Sequence, residues 1–437
     1  MGMNMLTLKV DPADALVDIP RRILLSGAES GAEVRIETET SRSGFLWKSS
    51  ACYRADEVGE VDLTRDAPHS GDYSGVSAMG LIWSQTCAEG GAKDHAQFNA
   101  DMAQPLETLI KAHSGDHHVE AQMIQRLMGP GVRRQAVNEN GLVGVLYRPA
   151  DDNPAPAVML LNGSNGGINE ARAALWASRG YNAFTLGYFG MPGVQRYISN
   201  TDLEYFSKAV DWLRKAVSPR DGFVAVSGQS RGGELALLLG STFPDQVSAV
   251  VGYVPSAFVH GGQAACDPEL GRDGPSWRLN GKALPHIWDD NGHASWEPYD
   301  NGEPPRRNSK AMMTALGDPD ALERARIPVE RIKGPVLLIS GGDDGAWPSD
   351  LYSMVVSSSL RAAGHPHEVA WENYPVAGHS ILFPYVPTTR ISHAHPVNGI
   401  LTTMGGTPEA NAQANEASWR AIQSWMRRAT GIRDDID

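Results

Sequence analysis

The segment Phe223-Val224-Ala225-Val226-Ser227-Gly228-Gln229-Ser230-Arg231-Gly232-Gly233 limits what this chain can fold into more than any other. An apolar strand meets G-x-S-x-G and is followed by a helical run from Glu234 to Phe243. Passing from strand to helix in so few residues takes a sharp turn, and small residues are needed at Gly228 and Gly232, where a Cβ would crowd the backbone. Such a turn lifts the Ser230 hydroxyl clear of the sheet. Ordinary glycine-rich turns also carry a bare G-x-S-x-G; the strand before it and the helix after it are what favour Ser230 as a nucleophile.

A hydroxyl is a poor nucleophile until a base takes its proton, and the base must be oriented by an acid. On a sheet of this type the chain order is Ser, then Asp or Glu, then His. Val336 to Ile339 reads as a strand running through Ser340-Gly341-Gly342 into Asp343-Asp344, and Glu368 to Trp371 reads as a strand leading to the loop histidine His379. Both groups follow strand C-terminal ends, where α/β sheets hold their ligands. Asp344 is preferred as the acid because it closes a G-x-x-D spacing from Gly341; Asp343 is the alternative, and either could instead compensate the dipole of a helix starting near Ser349.

A tetrahedral oxyanion needs donors already in place. The Arg231 N–H, next after the nucleophile, is one candidate. The second falls in Leu161-Asn162-Gly163-Ser164-Asn165-Gly166-Gly167, where Ser164 is preferred and Asn165 is next. A phosphate loop would need GxGxxG or a P-loop lysine, and this turn has neither.

Net charge −13 argues against a nucleic-acid partner, because phosphate binding needs a Lys/Arg surplus on some face. Cys52, Cys87 and Cys266 are odd in number and scattered, which fits neither a disulfide framework nor a zinc or redox site and suggests a reducing cytoplasm. Neither a signal peptide nor a run of 18 apolar residues is seen, so no membrane association is expected. Leu6 breaks the myristoylation pattern, and Asp435-Ile436-Asp437 is not a peroxisomal tail. His117-His118, His365, His367, His393 and His395 read as solvated loop residues. His117-His118-Val119-Glu120 lacks the H-E-x-x-H spacing, so neither a metal nor another cofactor is expected.

With 437 residues the chain suggests two domains. Residues 1–130 show period-two segments such as Leu6, Leu8, Val10 and Val34, Ile36, Thr38, separated by turn signals at Ser70-Gly71-Asp72 and Gly90-Gly91, which reads as a β-sandwich. Residues 131–437 alternate strand and helix, giving an α/β domain with a mostly parallel sheet. Strands are expected at Leu142 to Tyr147, Val158 to Leu161, Ala183 to Leu186, Phe223 to Val226, Ser248 to Tyr253, Val336 to Ile339 and Glu368 to Trp371. Thr201 and Glu204 read as a capping box opening a helix, and Thr407-Pro408 opens another. Between about 255 and 328 the alternation fails, and Trp277, Trp288 and Trp296 sit among Gly, Pro and Asp; that stretch reads as a cap or lid.

Several segments together resemble the type I acyl-CoA thioesterases and the related bile acid-CoA:amino acid N-acyltransferases. They are Ser74 to Trp83, Gly131-Val132-Arg133-Arg134, Gly163 to Gly167 with Glu170 and Arg172, Tyr188-Phe189-Gly190, Leu203-Glu204-Tyr205-Phe206, Ser230-Arg231-Gly232, Asp343-Asp344, Gly378-His379 and Pro384-Tyr385. The resemblance covers nearly the whole chain. It implies an immunoglobulin-like N-terminal sandwich before an α/β-hydrolase domain, and a triad of Ser or Cys, His and Asp. Ser230 stands where the amino-acid-conjugating members carry cysteine, which favours water as the acyl acceptor. The expected function is thus hydrolysis of an acyl thioester, with acyl-CoA as the expected small-molecule substrate, through Ser230, His379 and Asp344. Acyl transfer to an amine or alcohol, and hydrolysis of a carboxylic ester or lactone, use the same residues. A non-catalytic binding protein on this scaffold would normally lack one of the three.

Overall fold

In the computed structural model, which describes residues 5–89, 96–394 and 400–431, the alternation read in the N-terminal sequence becomes sheet. The Met1 to Asn4 start, Gly90-Gly91, His395 and Asp435-Ile436-Asp437 lie outside the described residues. Glu33–Arg42 buries Val34, Ile36, Thr38 and Thr40 on one face and pairs antiparallel with Phe45–Arg54. The tight turn between them uses Ser43 and Gly44, both at positive φ, the conformation a two-residue hairpin requires.

The chain divides into two units. The first comprises 1–128, 383–399 and 407–416, so two segments that a single boundary near Gly129-Pro130-Gly131 would leave in the second domain group with the N-terminal part. Its strands form a three-stranded and a seven-stranded sheet over one apolar core that draws Ile23 and Leu25 from one sheet and Val34, Ile36, Tyr53 and Ile110 from the other. Ser70–Gly71, expected as a turn, pairs with Ala51 and Cys52. His117 and His118 open the strand His117–Arg126 rather than lying in a loop, and His393 lies in the strand Ser392–Ala394.

The second unit comprises 129–382, 400–406 and 417–437. It is built on a sheet of eight strands: β1 (Arg133–Glu139), β2 (Leu142–Arg148), β3 (Ala157–Leu161), β4 (Asn182–Gly187), β5 (Val224–Gln229), β6 (Ala249–Tyr253), β7 (Val336–Gly341) and β8 (Val369–Tyr374). Their order across the sheet is β1-β2-β4-β3-β5-β6-β7-β8, antiparallel at β1/β2 and β2/β4 and parallel from β4 onward. The central strands are continuously apolar because helices cover both faces of a parallel sheet, and every residue of β3 and β7 is buried. Helix α1 (Glu170–Ser178) follows β3, α2 (Leu203–Val217) follows β4, α3 (Arg231–Thr242) follows β5, and α4 (Ser349–Ala362) follows β7. The expected capping box does not form: Asp202 is the N-cap, the Thr201 hydroxyl donates to the Ile198 carbonyl, and Glu204 accepts from the Asn280 N–H. Thr407 does cap the helix Pro408–Thr430, accepting from the Ala410 N–H at 3.1 Å. Among the described residues no helix is long and apolar enough to cross a membrane.

Between β6 and β7 the chain forms only short elements, among them Trp277–Leu279, Glu297–Asp300 and Asn308–Thr314. Trp277 is fully buried there, with its ring against Tyr188 and Phe206. Trp288 stacks on Trp296 at 4.7 Å.

Candidate active site

Ser230 occupies the single residue between β5 and α3, at φ 58° and ψ −121°. A non-glycine residue at positive φ is strained, and the strain is held by close packing on both sides. A Cβ on Gly228 would stand 1.9 Å from the Gly232 carbonyl oxygen, and one on Gly232 would stand 2.4 Å from that of Leu161. The turn is fixed further by the Ser230 N–H, which donates to the Tyr253 carbonyl at 2.8 Å.

Three side chains from separate strand ends meet at this turn. The Ser230 hydroxyl lies 2.7 Å from His379 Nε2, and His379 Nδ1 lies 2.8 Å from Asp344 Oδ2. Oδ2 also accepts from the Ser349 hydroxyl at 2.6 Å, while Oδ1 accepts from the N–H groups of Ala346 and Trp347 at 2.8 and 3.2 Å. A carboxylate is acceptor-only, so a buried one with this many donors is held in one orientation. Asp343 points elsewhere. Its Oδ1 meets Arg307 at 2.8 Å and its Oδ2 accepts from the Gly406 N–H at 2.8 Å.

One short strap fixes both the acid loop and the histidine loop. The Met404 carbonyl accepts from the N–H groups of His379 and Gly345, at 2.8 and 2.9 Å. Gly405, at φ 79°, lets the strap pass so close that a Cβ there would stand 1.8 Å from the Asp343 carbonyl oxygen. The indole of Trp347 packs edge-on to His379 and donates to the Val254 carbonyl at 2.9 Å.

The loop after β3 lies against the turn: a Cβ on Gly163 would stand 3.1 Å from that of Ser230. Tyr188 braces this loop through its hydroxyl, which donates to the Asn162 carbonyl at 2.6 Å, and the Asn162 side chain closes it by donating to the Gly166 carbonyl. The backbone N–H groups of Ser164 and Arg231 are not used in backbone hydrogen bonds within the described structure. Such an array can pass a proton from hydroxyl to imidazole and offer N–H donors to a developing oxyanion.

Ser230, His379 and Asp344 are thus brought together, with Ser164 on the loop after β3 and Arg231 opening α3, whereas Asp343 faces Arg307. Sequence reading missed Ser349, Trp347 and Met404. Only Ser349 carried a signal, as a helix start. Among the described residues no group of three His, Cys, Asp or Glu could hold a metal.

Residues 201–431 match the family model described as BAAT / Acyl-CoA thioester hydrolase C terminal, and residues 18–139 match the Acyl-CoA thioester hydrolase/BAAT N-terminal region. Human acyl-coenzyme A thioesterase 1 is 28% identical over 435 residues, covering 97% of each chain. The mouse mitochondrial acyl-coenzyme A thioesterase 2 is 28% identical over 445 residues, covering 98% of this chain and 90% of its own. Among solved structures, Pyrococcus horikoshii acylaminoacyl peptidase aligns with all of this chain and 63% of its own length, at 14% identity and a TM-score of 0.42. The strand order and the serine turn after β5 are those of an α/β-hydrolase. With one family model matching over half its length and a second matching the N-terminal part, this chain is an enzyme of the acyl-CoA thioester hydrolase/BAAT family.

Proposed function

We propose that this enzyme hydrolyses an acyl-CoA thioester to the free acid and the CoA thiol, with Ser230 as nucleophile, His379 as general base and acid, and Asp344 as the acid that orients it. The observation that carries the reading is the unbroken chain from Ser230 Oγ through His379 to Asp344, with contacts of 2.7 and 2.8 Å, on a strained turn. Ser230 Oγ attacks the thioester carbon as its proton passes to His379 Nε2. The C–S bond then breaks and the thiol leaves with that proton. Water, deprotonated by the same imidazole, cleaves the resulting ester and restores the serine. The N–H groups of Arg231 and Ser164 are assigned to the oxyanion. Asp343 is assigned to the Arg307 contact rather than to the triad.

Water is favoured over an amine acceptor because a serine ester is less reactive toward amines than a cysteine thioester. The N-terminal unit is read as an immunoglobulin-like sandwich. Its larger sheet runs parallel where Asp14–Leu16 joins His117–Arg126 and antiparallel elsewhere, which supports that topology. A cytoplasmic setting is consistent with three free cysteines.

The test is Ser230→Ala, expected to lower kcat on the order of a million-fold if the triad acts as a unit. A fluorophosphonate adduct located by mass spectrometry should fall on Ser230. An adduct on another serine, or conjugate forming faster than free acid when glycine or taurine is supplied with acyl-CoA, would overturn the reading.

A further inference from the structure

The first turn of α3 holds a fully buried ion pair directly behind the nucleophile. Arg231 Nη1 donates to Glu234 Oε2 at 3.0 Å, and both side chains are inaccessible to solvent. Taking two charges out of water is costly, so a buried pair is weak evidence of a contribution to stability. This pair is also wired outward. Arg231 Nη1 and Nη2 donate to the His260 and Gly261 carbonyls at 3.2 and 2.8 Å, and its guanidinium stands 5.5 Å from the Trp347 ring. The other oxygen of Glu234 accepts from the Trp277 indole at 2.7 Å and from the His260 N–H at 3.4 Å. Burial pushes the Glu234 carboxyl up, against the pull of Arg231 and these donors.

Every partner beyond the pair belongs either to the segment between β6 and β7 or to the loop that holds Asp344. Arg231 is also the residue whose N–H was assigned to the oxyanion. Its side chain leaves the Cα next to that N–H, so a guanidinium held at Glu234, His260 and Gly261 restrains the backbone from which the N–H points.

We propose that Arg231 and Glu234 are a positioning pair: the buried guanidinium, anchored on Glu234, His260 and Gly261, aims the Arg231 N–H at the oxyanion and ties the 255–328 segment to the nucleophile turn. The proposal rests on the reading of Ser230 as nucleophile. It places neither side chain on the substrate. Their effect falls on the chemical step, because a misaimed donor weakens the transition state more than the bound ground state.

The experiment uses the full chain, with kcat and KM measured on one acyl-CoA and the rate of fluorophosphonate labelling at Ser230 followed in parallel. Arg231→Lys keeps a charge for Glu234 but loses the fork, and should lower kcat and the labelling rate by about tenfold with KM nearly unchanged. The double variant Arg231→Met/Glu234→Leu removes both charges and, although the Trp277 and His260 N–H groups lose their acceptor, should still fold. It should nonetheless lose about 100-fold in kcat. A purely structural pair predicts wild-type kcat once the fold is retained, and that result in both variants would overturn the proposal. Loss of fold in both would overturn it too, since the pair would then hold the fold rather than the turn. If wild-type enzyme is not labelled at Ser230, the functional reading falls first and this inference with it.

Discussion

Two networks of buried polar groups can be set side by side. In the first unit Thr38 meets Ser49 and Thr40 meets Thr108, each at 2.7 Å, and the Gln85 amide joins them by donating to both Thr38 and Thr40. Arg42 closes this network, donating to the Gln85 side-chain carbonyl and to the Gln97 backbone carbonyl; burial pushes its guanidinium down to about 9. In the second unit the network around Ser230 contains carboxylates, imidazoles and a guanidinium. It ends at a half-buried hydroxyl, flanked by N–H groups with no backbone partner. The first network joins its side chains to one another and to backbone carbonyls, leaving the buried Arg42 Nε without a partner, and contributes order. The second reaches a partly exposed hydroxyl beside a base, and such a pairing is what chemistry requires.

The largest expected effect that separates the two is loss of the orienting acid. Asp344→Asn should lower kcat by about ten-thousand-fold with little change in thermal stability. Asp343→Asn, which disturbs only the Arg307 and Gly406 contacts, should be far milder; the reverse order in steady-state kinetics would reassign the acid. Next comes Gln85→Ala, which strips partners from Thr38, Thr40 and Arg42 together. It should cost about 2–4 kcal/mol in denaturant unfolding and leave kcat at 25 °C unchanged. A parallel loss of kcat would erase the distinction between a network that orders and one that reacts.

The smallest effect concerns pH. His260 is fully buried and pushed well below its ordinary range by burial, with Arg231 and His286 adding to the push. The unfolded chain takes up a proton at this residue below about pH 6.5 and the folded chain does not, so stability falls as pH drops through that range. The slope from this one group is about 1.4 kcal/mol per pH unit. His260→Phe should make unfolding free energy between pH 6 and 5 shallower by about that much, with His286, also lowered by burial, keeping its own share. An unchanged slope would mean that His260 is protonated in the fold.

Parallel strands were readable because burial on both faces makes them uniformly apolar, as in β3 and β7. Strand β1 was not, because it lies at the sheet edge and is almost wholly exposed; its one local signal is the hairpin pair Asn140-Gly141, both at positive φ. Ser230, Asp344 and His379 were legible through their order along the chain. Met404 was not, since it contributes a carbonyl that every residue has. Trp277 was only partly legible: its setting among Gly, Pro and Asp gave no sign that it is buried and bonded to Glu234. Glu234 reads in sequence as an ordinary acid in the first turn of a helix.

The strap at Met404 also sets a schedule. A chain leaves the ribosome from its N-terminus at about 5–20 residues per second. The serine turn can close on strands that have already emerged, but the carbonyl that seats the histidine loop lies 25 residues beyond His379. The stretch between the two takes about 1–5 s to synthesise, and the histidine loop cannot be seated before it is made. The enzyme's reactivity waits on a backbone carbonyl made well after the serine, the acid and the base.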